Sequence, residues 1–384
     1  MFILEAKLLQ GTRVRVRAND PALAPALAKL RADTDSAMKL GPFSVVDKPQ
    51  APPSGDKHDY MSQAPYFWPN PDTPTSMPYV RRDGERNPDI LKIPDRIAMR
   101  NMSNAVQTLS LAYYFTGDEK YADRAALLLR TWFIDAKTRM NPNLQFAQAI
   151  PGQNTGRGIG IIESGSLVSV IDALALLSGS KSWTDDDQRA LVQWFDQYLT
   201  WLTESTPGKE ESAMKNNHGT HYDVQVVTYA LFVGKPDVAK RVLQDVLPKR
   251  IATQIEPDGK QPLELERTKA WSYSAMNLRG LMQLARLGEH VDVDLWHART
   301  DDGRSIRTAL DYLVPFATDP EQKWPHQQLN GFRSDAVLIL MRRAASEYPD
   351  AQYGEMLKKL PPLPPERLDH LVGPRLVANE QDQQ

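Results

Sequence analysis

The amino-acid sequence predicts an all-α protein built from antiparallel helical hairpins, and three observations support this. A helix–glycine–helix pattern recurs along the chain. Few runs alternate between apolar and polar residues as strands do; Arg13–Arg17 is one, and it predicts a short strand. From Ile93 onward, apolar residues follow the three-to-four-residue spacing of a buried helix face, at Met99, Met102, Ala105, Val106, Leu109 and Ala112.

The helix–glycine–helix pattern is clearest in the segments Leu111–Ala125 and Tyr229–Arg241. Each segment is typical of a helix that ends on glycine, a tight turn and a second amphipathic helix. Glycine suits this position because it readily adopts the left-handed conformation that closes a helix. Spacings of 62, 55 and 54 residues, typical of stacked helical hairpins, separate four such glycines: Gly117, Gly179, Gly234 and Gly288.

We therefore predict a single domain over residues 1–384, an incomplete (α/α) toroid of about six to seven helical hairpins, with an open solenoid as the alternative. Residues 41–92 are rich in proline and aromatic side chains, and a long irregular segment of this kind is usually a lid or a wrapping arm. A packed strap is the simpler interpretation of the same segment. Residues 361–384 begin with Pro-Pro-Leu-Pro-Pro and predict an extended C-terminal tail.

Composition excludes several classes of function. Hydrophobic residues make up 41% of the 384, which is enough for a substantial core. The net charge of −2 provides no global field toward nucleic acid or an anionic membrane, so neither is an expected partner. The chain has no cysteine, which excludes disulfides and thiolate metal sites.

The sequence carries no clear membrane or targeting signal. No apolar run approaches the roughly 18–20 residues that span a bilayer. Met1–Leu4 is apolar, but Glu5 follows at once, so no signal core is present. We expect a periplasmic or secreted protein whose signal peptide has been removed, and a cytoplasmic location remains open.

The most informative segment is Lys215–Tyr222, which places two amides, two imidazoles, an ammonium and a phenol in eight positions. A core would need a partner for every one of these groups, because an unpaired buried polar group costs roughly 1–3 kcal/mol. The wall of a polar cleft fits better. An amide next to a histidine, as in Asn217-His218, suits a substrate that carries a carboxylate. The alternatives are a helix cap with a core histidine, or a metal site that uses His218 and His221.

Three further clusters combine charged and aromatic side chains. Residues 264–274 contain Arg267 and Tyr273 at the start of a helical run. Arg96 and Arg100 lie four apart, on one face of a predicted helix. Basic and aromatic residues also alternate in the predicted arm, at Tyr66, Trp68, Arg81 and Arg82.

Together these clusters resemble the metal-independent alginate lyases and related polyuronate lyases, and the correspondence covers most of the chain. The resemblance implies a helical toroid, an acidic polysaccharide as substrate, and no metal or cofactor. It implies that Asn217, His218, Arg267 and Tyr273 are catalytic and that Arg100 binds substrate. The other expected substrate-binding residues are Lys215, His221, Tyr66, Trp68, Arg81, Arg82 and Trp271.

The sequence departs from the best-known alginate lyases in two ways. Arg267 and Tyr273 are six residues apart, one fewer than usual, and Gly219-Thr220-His221 replaces the usual continuation. Both departures resemble a broader branch that acts on mannuronan, glucuronan and mixed polyuronates. In that branch an acidic residue seven positions before the histidine is implicated, which here is Glu211. The simpler interpretation is that Glu210-Glu211 belongs to a solvated face.

The implied reaction is β-elimination. Asn217 and His218, together with Arg267, would neutralise the carboxylate of the sugar, with Glu211 adding a hydrogen bond. Tyr273 would remove the C5 proton and return it to the leaving oxygen. The alternative function is a non-catalytic or hydrolytic protein that binds acidic glycans. A hydrolase needs two opposed carboxylates, and the sequence shows no evident pairing among Asp59, Asp223 and Glu264.

Overall fold

The computed structural model describes residues 1–348, 350 and 352–373. In these residues helices dominate and strands are few and short, which confirms the predicted all-α class. The α-helices are α1 (Ala6–Arg17), α2 (Ala24–Ala37), α3 (Asp95–Thr116), α4 (Glu119–Leu129), α5 (Leu167–Leu176), α6 (Asp185–Glu204), α7 (Thr206–Ser212), α8 (Asn217–Phe232), α9 (Pro236–Gln244), α10 (Ala252–Gln254), α11 (Pro262–Leu265), α12 (Ala270–Gly288), α13 (Ile306–Thr318), α14 (Asp335–Glu347), α15 (Gln352–Lys358) and α16 (Asp369–Val372).

The chain forms two compact units. Unit 1 comprises Met1–Asp33, Lys215–Asn217 and Leu243–Gln384, of which the described part ends at Gly373. Unit 2 comprises Thr34–Met214 and His218–Val242. The single domain expected over residues 1–384 stays a prediction.

Helix α3 shows why the apolar spacing was a reliable signal. All six residues of the predicted stripe are buried, and they recur every three or four positions along the 22 residues of the helix. The helix ends at Gly117, whose φ of 74° is the left-handed conformation. Asp118 then caps α4 by accepting a hydrogen bond from the backbone N–H of Lys120. The predicted helix–glycine–helix unit is confirmed here.

The other predicted glycine turns have a mixed outcome. Gly179 and Gly234 adopt left-handed φ values of 86° and 75°, as expected. Gly288 does not, because it is the last residue of α12 and has a helical φ of −59°. A Cβ at Gly288 would lie 2.2 Å from the carbonyl oxygen of Val293, and the left-handed residue of this turn is Asp292. Glycine is needed at this position for close backbone approach rather than for a left-handed φ.

The short strand predicted at Arg13–Arg17 is wrong, because this run forms the last part of α1. The apolar residues that alternate in this run are not the ones that the structure buries. The buried residues of α1 are Leu9 and Thr12, three positions apart as on a helix face, whereas Val14 is 63% exposed. A five-residue alternation is too short to outweigh the helical spacing of its neighbours.

Residues 41–92 are largely irregular, as predicted, and carry three short strands. β1 (Met61–Gln63) pairs in parallel with β4 (Phe146–Ala149), and β2 (Phe67–Trp68) pairs antiparallel with β3 (Val80–Arg81). Tyr60 and Ala64, on either side of β1, are buried, whereas most of residues 69–78 are exposed. The base of the arm is therefore a packed strap. A lid function for its exposed part stays a prediction.

A buried ion pair ties the arm to the start of α3. Lys48 Nζ lies 2.9 Å from Asp95 Oδ2, and both side chains are fully buried. The ammonium also donates to the carbonyl oxygens of Val45 and Lys57. Burial raises the pKa of Asp95 to about 6 and lowers the pKa of Lys48, while the attraction between the two charges opposes both shifts.

Two further expectations need correction. Gly158–Leu176, with 19 residues, is long and apolar enough to cross a membrane by length and composition alone, so the expectation that no such run exists is wrong. In the structure 67% of this stretch is buried, and α5 within it packs on α3, as in a core helix. The tail predicted as extended contains α16 (Asp369–Val372), and residues 374–384 lie outside the described residues.

We predict that the Lys48–Asp95 pair stabilises the fold because each buried charge neutralises the other. Asp95→Asn leaves the Lys48 ammonium as an unpaired buried charge, so the free energy of unfolding is expected to fall by about 3–5 kcal/mol. The double variant Lys48→Met/Asp95→Asn removes both charges and is expected to lose less than the two single variants combined. Urea unfolding followed by circular dichroism measures all three values. Strictly additive losses would show that the two charges do not interact.

Candidate active site

Asn217 is the first residue of α8 and is fully buried. Its backbone N–H donates to Glu264 Oε1 at 2.6 Å, and its side-chain Nδ2 donates to Glu264 Oε2 at 2.7 Å. Both oxygens of the Glu264 carboxylate, which is only 1% exposed, therefore accept hydrogen bonds from Asn217. A helix N-terminus favours a nearby negative charge, so Glu264 stabilises the start of α8. Its hydrogen bond to Nδ2 fixes the orientation of the Asn217 side-chain amide.

His218 is held in a comparable way by Glu211. His218 Nδ1 lies 2.8 Å from Glu211 Oε1, and the glutamate, on α7, is 1% exposed. The interpretation of Glu211 as part of a solvated face is therefore wrong. An ionised Glu211 places the ring proton on Nδ1, which makes Nε2 an acceptor in the neutral ring and a donor in the cation.

Arg267 and Tyr273 contact each other closely. Arg267 lies between α11 and α12, and Tyr273 lies in the first turn of α12. Arg267 Nη2 donates to the Tyr273 hydroxyl at 3.0 Å, and the guanidinium carbon lies 4.0 Å from the centre of the phenol ring. A cation at this distance stabilises a phenolate more than a phenol. The arrangement favours proton transfer by Tyr273.

The five residues of the predicted catalytic set are found in three local arrangements: Asn217 contacts Glu264, His218 contacts Glu211, and Arg267 contacts Tyr273. Asn217 and His218 are consecutive in the chain. Sequence reasoning placed Glu264 in the polar cluster 264–274 and found no evident partner for its carboxylate, so it missed the anchoring role. The available signal was its place in the polar run 264–267, but no spacing rule links it to Asn217.

A third buried glutamate, Glu163, contacts Arg96 of α3. Glu163 Oε2 accepts hydrogen bonds from the hydroxyls of Tyr60 and Ser62. Arg96 Nε lies 3.3 Å from Glu163 Oε1. Arg100, one turn further along α3, is exposed. The sequence placed both arginines on this helix correctly, and it did not identify Glu163.

The predicted residues of the arm contact one another. Trp68 Nε1 donates to the carbonyl oxygen of Glu85 at 3.0 Å, and the Arg82 guanidinium lies 5.3 Å from the centre of the Trp68 ring. Arg81 makes an ion pair with Asp83 at 2.8 Å. Their substrate-binding roles, and that of the half-buried Tyr66, stay predictions.

Trp271 does not fit its expected role. It is 1% exposed, and its ring packs against Trp324 and Phe332 while Nε1 donates to the carbonyl oxygen of Arg333. No free ring face is left for a sugar, so the structure argues against a stacking function. The spacing of Trp271 from Tyr273 gave no signal of this burial, which depends on residues more than 50 positions away.

The remaining two predicted residues lie near the start of α8. Lys215 is exposed, two residues before the helix begins. His221 is half-buried on α8, three positions after His218. Nothing in their contacts contradicts substrate binding, and it stays a prediction.

A cleft of about 760 Å³ lies in unit 1, but neither Arg267 nor Tyr273 lines it. Its walls include Arg279 of α12 and Arg342 of α14, together with aliphatic side chains. Within residues 1–348, 350 and 352–373, no three histidine or carboxylate side chains are grouped as a metal site requires. The position of this cleft therefore does not identify the active site, and the site has to be identified from the chemistry of its residues.

The sequence matches the protein-family model described as alginate lyase over residues 44–324. The chain belongs to the alginate lyase family. It is therefore a polysaccharide lyase, as the resemblance implied.

Solved structures agree with this assignment. A crystal structure of an alginate lyase from Bacteroides ovatus is 42% identical, with a TM-score of 0.93 over 97% of this chain and 98% of that one. Alginate lyase A1-III from Sphingomonas species A1 is 16% identical, with a TM-score of 0.59 over 97% of both chains. A variant of A1-III complexed with a tetrasaccharide has a TM-score of 0.61 at 16% identity, over 97% of this chain and 94% of that one. These likenesses confirm the predicted helical toroid class. Among curated proteins, none matches the chain.

We predict that anchoring of Asn217 by Glu264 matters for this lyase. Glu264→Gln places an amide donor where an acceptor is needed, so one N–H group of Asn217 loses its partner. The expected loss in kcat/KM on a polyuronate is roughly 10- to 100-fold, or about 1.4–3 kcal/mol. Glu266→Gln, an exposed glutamate two residues later, is the matched control and should keep wild-type activity. Full activity in a folded Glu264→Gln variant would contradict the anchoring role.

Proposed function

We propose that this lyase cleaves 4-linked polyuronates such as alginate, of the polymannuronate type and extending to glucuronan, by β-elimination. The observation that carries the proposal is the Arg267–Tyr273 contact, in which a guanidinium donates to a phenol. The family assignment supports the reaction class, and the Bacteroides and Sphingomonas proteins of similar structure are alginate lyases. The complex of an A1-III variant with a tetrasaccharide supports an oligosaccharide as ligand.

The difficult step of this reaction is removal of the proton from C5 of the sugar, which is only weakly acidic. Its acidity rises when the neighbouring C6 carboxylate is neutralised, because that group can then accept the developing negative charge. Hydrogen-bond donors oriented in advance make the largest contribution to such a step. The chain therefore has to supply donors for the carboxylate and a base for the proton.

Asn217 and His218 are the proposed donors. Each is held by a buried glutamate, so neither side chain has to be ordered when substrate binds. Nδ2 of Asn217 has a second hydrogen beyond the one that Glu264 accepts. Glu211 contacts His218, which supports a role in orienting the imidazole in addition to any direct hydrogen bond to substrate.

Tyr273 is the proposed base and acid. As a phenolate, stabilised by Arg267, it would take the C5 proton and then return it to the departing glycosidic oxygen. In a mannuronate-type residue the proton and the leaving group lie on the same face of the ring, so one tyrosine can serve both. In a guluronate-type residue they lie on opposite faces, and His218 would be the base with Tyr273 as the acid.

The identity of the product tests the reaction class. Elimination creates a C4–C5 double bond conjugated with the carboxylate, so cleavage of polymannuronate is expected to raise ultraviolet absorbance as chain ends form. Mannuronan, guluronan, glucuronan and hyaluronan assayed side by side rank the substrates. New reducing ends without any gain in absorbance would indicate hydrolysis and overturn the proposal.

The role of Tyr273 is tested by Tyr273→Phe, which keeps the ring and removes the proton-transfer group. We expect kcat to fall by at least roughly 100-fold, in line with the loss of a general acid–base group. The affinity for a mannuronate oligosaccharide should change little, because the phenol acts on the transition state. Tyr121→Phe on α4 is the matched control. Normal turnover by Tyr273→Phe would refute the assignment.

A further inference from the structure

The cleft of about 760 Å³ in unit 1 is not used by the proposed reaction. All of its lining residues belong to unit 1, and they come from α12, α14 and segments near the two ends of the described chain. The aliphatic part of the wall includes Ile3, Leu4, Met282, Ile339, Leu363 and Val372. Its volume lies within the range of roughly 300–1,000 Å³ that is typical of small-molecule sites, which combine mainly apolar walls with a few polar groups.

Each of the three acidic residues in the described lining has an arginine partner. The ion pairs are Glu5 with Arg343, Asp20 with Arg15, and Asp369 with Arg367, the last at 2.8 Å. The carboxylates of the cleft are therefore committed to arginines other than Arg279 and Arg342.

Arg279 and Arg342 take part in no ion pair among residues 1–348, 350 and 352–373. Solvent reaches Arg279 through the cleft, yet the surrounding walls desolvate its guanidinium and lower its pKa. Burial also lowers the pKa of Arg342, and the nearby Asp369 opposes this shift. Nη1 of Arg342 and Nε of Arg286 are buried and have no hydrogen-bond partner in the same part of the chain. Partly desolvated cations of this kind are costly unless an anion neutralises them.

The two kinds of surface in the cleft determine the class of ligand. A polyuronate carries hydroxyl groups on every ring, and a hydroxyl that entered the aliphatic part of the cleft would lose its hydrogen bonds to water without replacement. An aliphatic chain meets no such penalty and gains from leaving water. At the charged end, the planar guanidinium groups fit a carboxylate, which can accept two parallel hydrogen bonds from one arginine. The cleft therefore suits an amphiphile with a single anionic end.

We propose that this cleft binds an aliphatic carboxylate, such as a medium-chain fatty acid. The carboxylate lies on Arg279 and Arg342, and the chain lies against the aliphatic wall. The site is separate from the residues of the proposed reaction, since neither Arg267 nor Tyr273 lines it. The inference therefore goes beyond the proposed function and does not depend on it.

A bound ligand would join separate parts of unit 1. The wall combines Ile3 and Leu4 near the N-terminus with Leu363 and Val372 near the end of the described chain, and α12 and α14 lie between them. A ligand that binds only the folded chain stabilises it by mass action. Saturating decanoate is therefore expected to raise the melting temperature of the protein.

Calorimetry on the full chain tests the ligand class with decanoate, octanoate, decanol and acetate. Decanol keeps the chain and lacks the charge, so decanoate is expected to bind at least roughly tenfold more tightly, as a charge-assisted hydrogen bond implies. Octanoate has two methylene groups fewer and should bind roughly tenfold more weakly than decanoate. Acetate keeps only the charge and should show no measurable binding.

Variants test the two parts of the site separately. Arg279→Gln and Arg342→Gln are each expected to weaken decanoate binding roughly 10- to 100-fold and to leave decanol binding nearly unchanged. Ala22 is an exposed residue of the lining, so Ala22→Trp should fill the cleft without unfolding the chain and should abolish binding of both ligands. Arg299→Gln is the control, because Arg299 is exposed in the same unit and does not line the cleft. Melting temperatures confirm that each variant is folded.

Four results would overturn the inference. The first is a native chain that does not bind decanoate. The second is equal weakening of decanoate and decanol by Arg279→Gln, since the arginine would then not recognise charge. The third is competitive displacement of decanoate by a mannuronate oligosaccharide, which would make the cleft part of the substrate groove. The fourth is binding that appears only in a chain shortened to end at Gly373, because the native chain would then fill the cleft itself.

Discussion

The start of α8 depends on one buried carboxylate. Glu264 accepts the backbone N–H of Asn217 with one oxygen and its side-chain amide with the other. A carboxylate buried to this extent is stable only when several donors share it, and a helix N-terminus supplies both the donors and a favourable field. Glu211 then holds the next residue, His218. Two glutamates therefore orient two consecutive side chains before any substrate arrives.

The balance of charge around these residues differs from that of the chain as a whole. The buried carboxylates Glu163, Glu211 and Glu264 each have donors within the protein. Arg86 and Arg157 have no carboxylate partner within the described residues. Because the net charge is −2, the affinity of this lyase for a polyanion has to come from such local groups rather than from a global field.

Features governed by local physics were predictable. The apolar face of α3 and the left-handed glycine at 117 follow from helix periodicity and from the freedom of glycine, and both act within one turn of the chain. Gly288 shows where that reasoning fails, since its small size serves contact with Val293 and the left-handed conformation falls to Asp292. The composition of a turn does not reveal whether its glycine is needed for a left-handed φ or for close backbone approach.

By itself, the sequence determined the helical class of this protein, the segment that carries Asn217 and His218, and the pairing of Arg267 with Tyr273. These depend on residues close in the chain, where spacing translates directly into geometry. Only the tertiary structure decided that Glu264 anchors Asn217, that Trp271 is enclosed by Trp324 and Phe332, and that Arg279 and Arg342 line one cleft. The first two join residues 47 to 61 positions apart, and the third depends on the packing of α12 with α14. Burial and hydrogen bonding between distant segments arise only when the chain has packed.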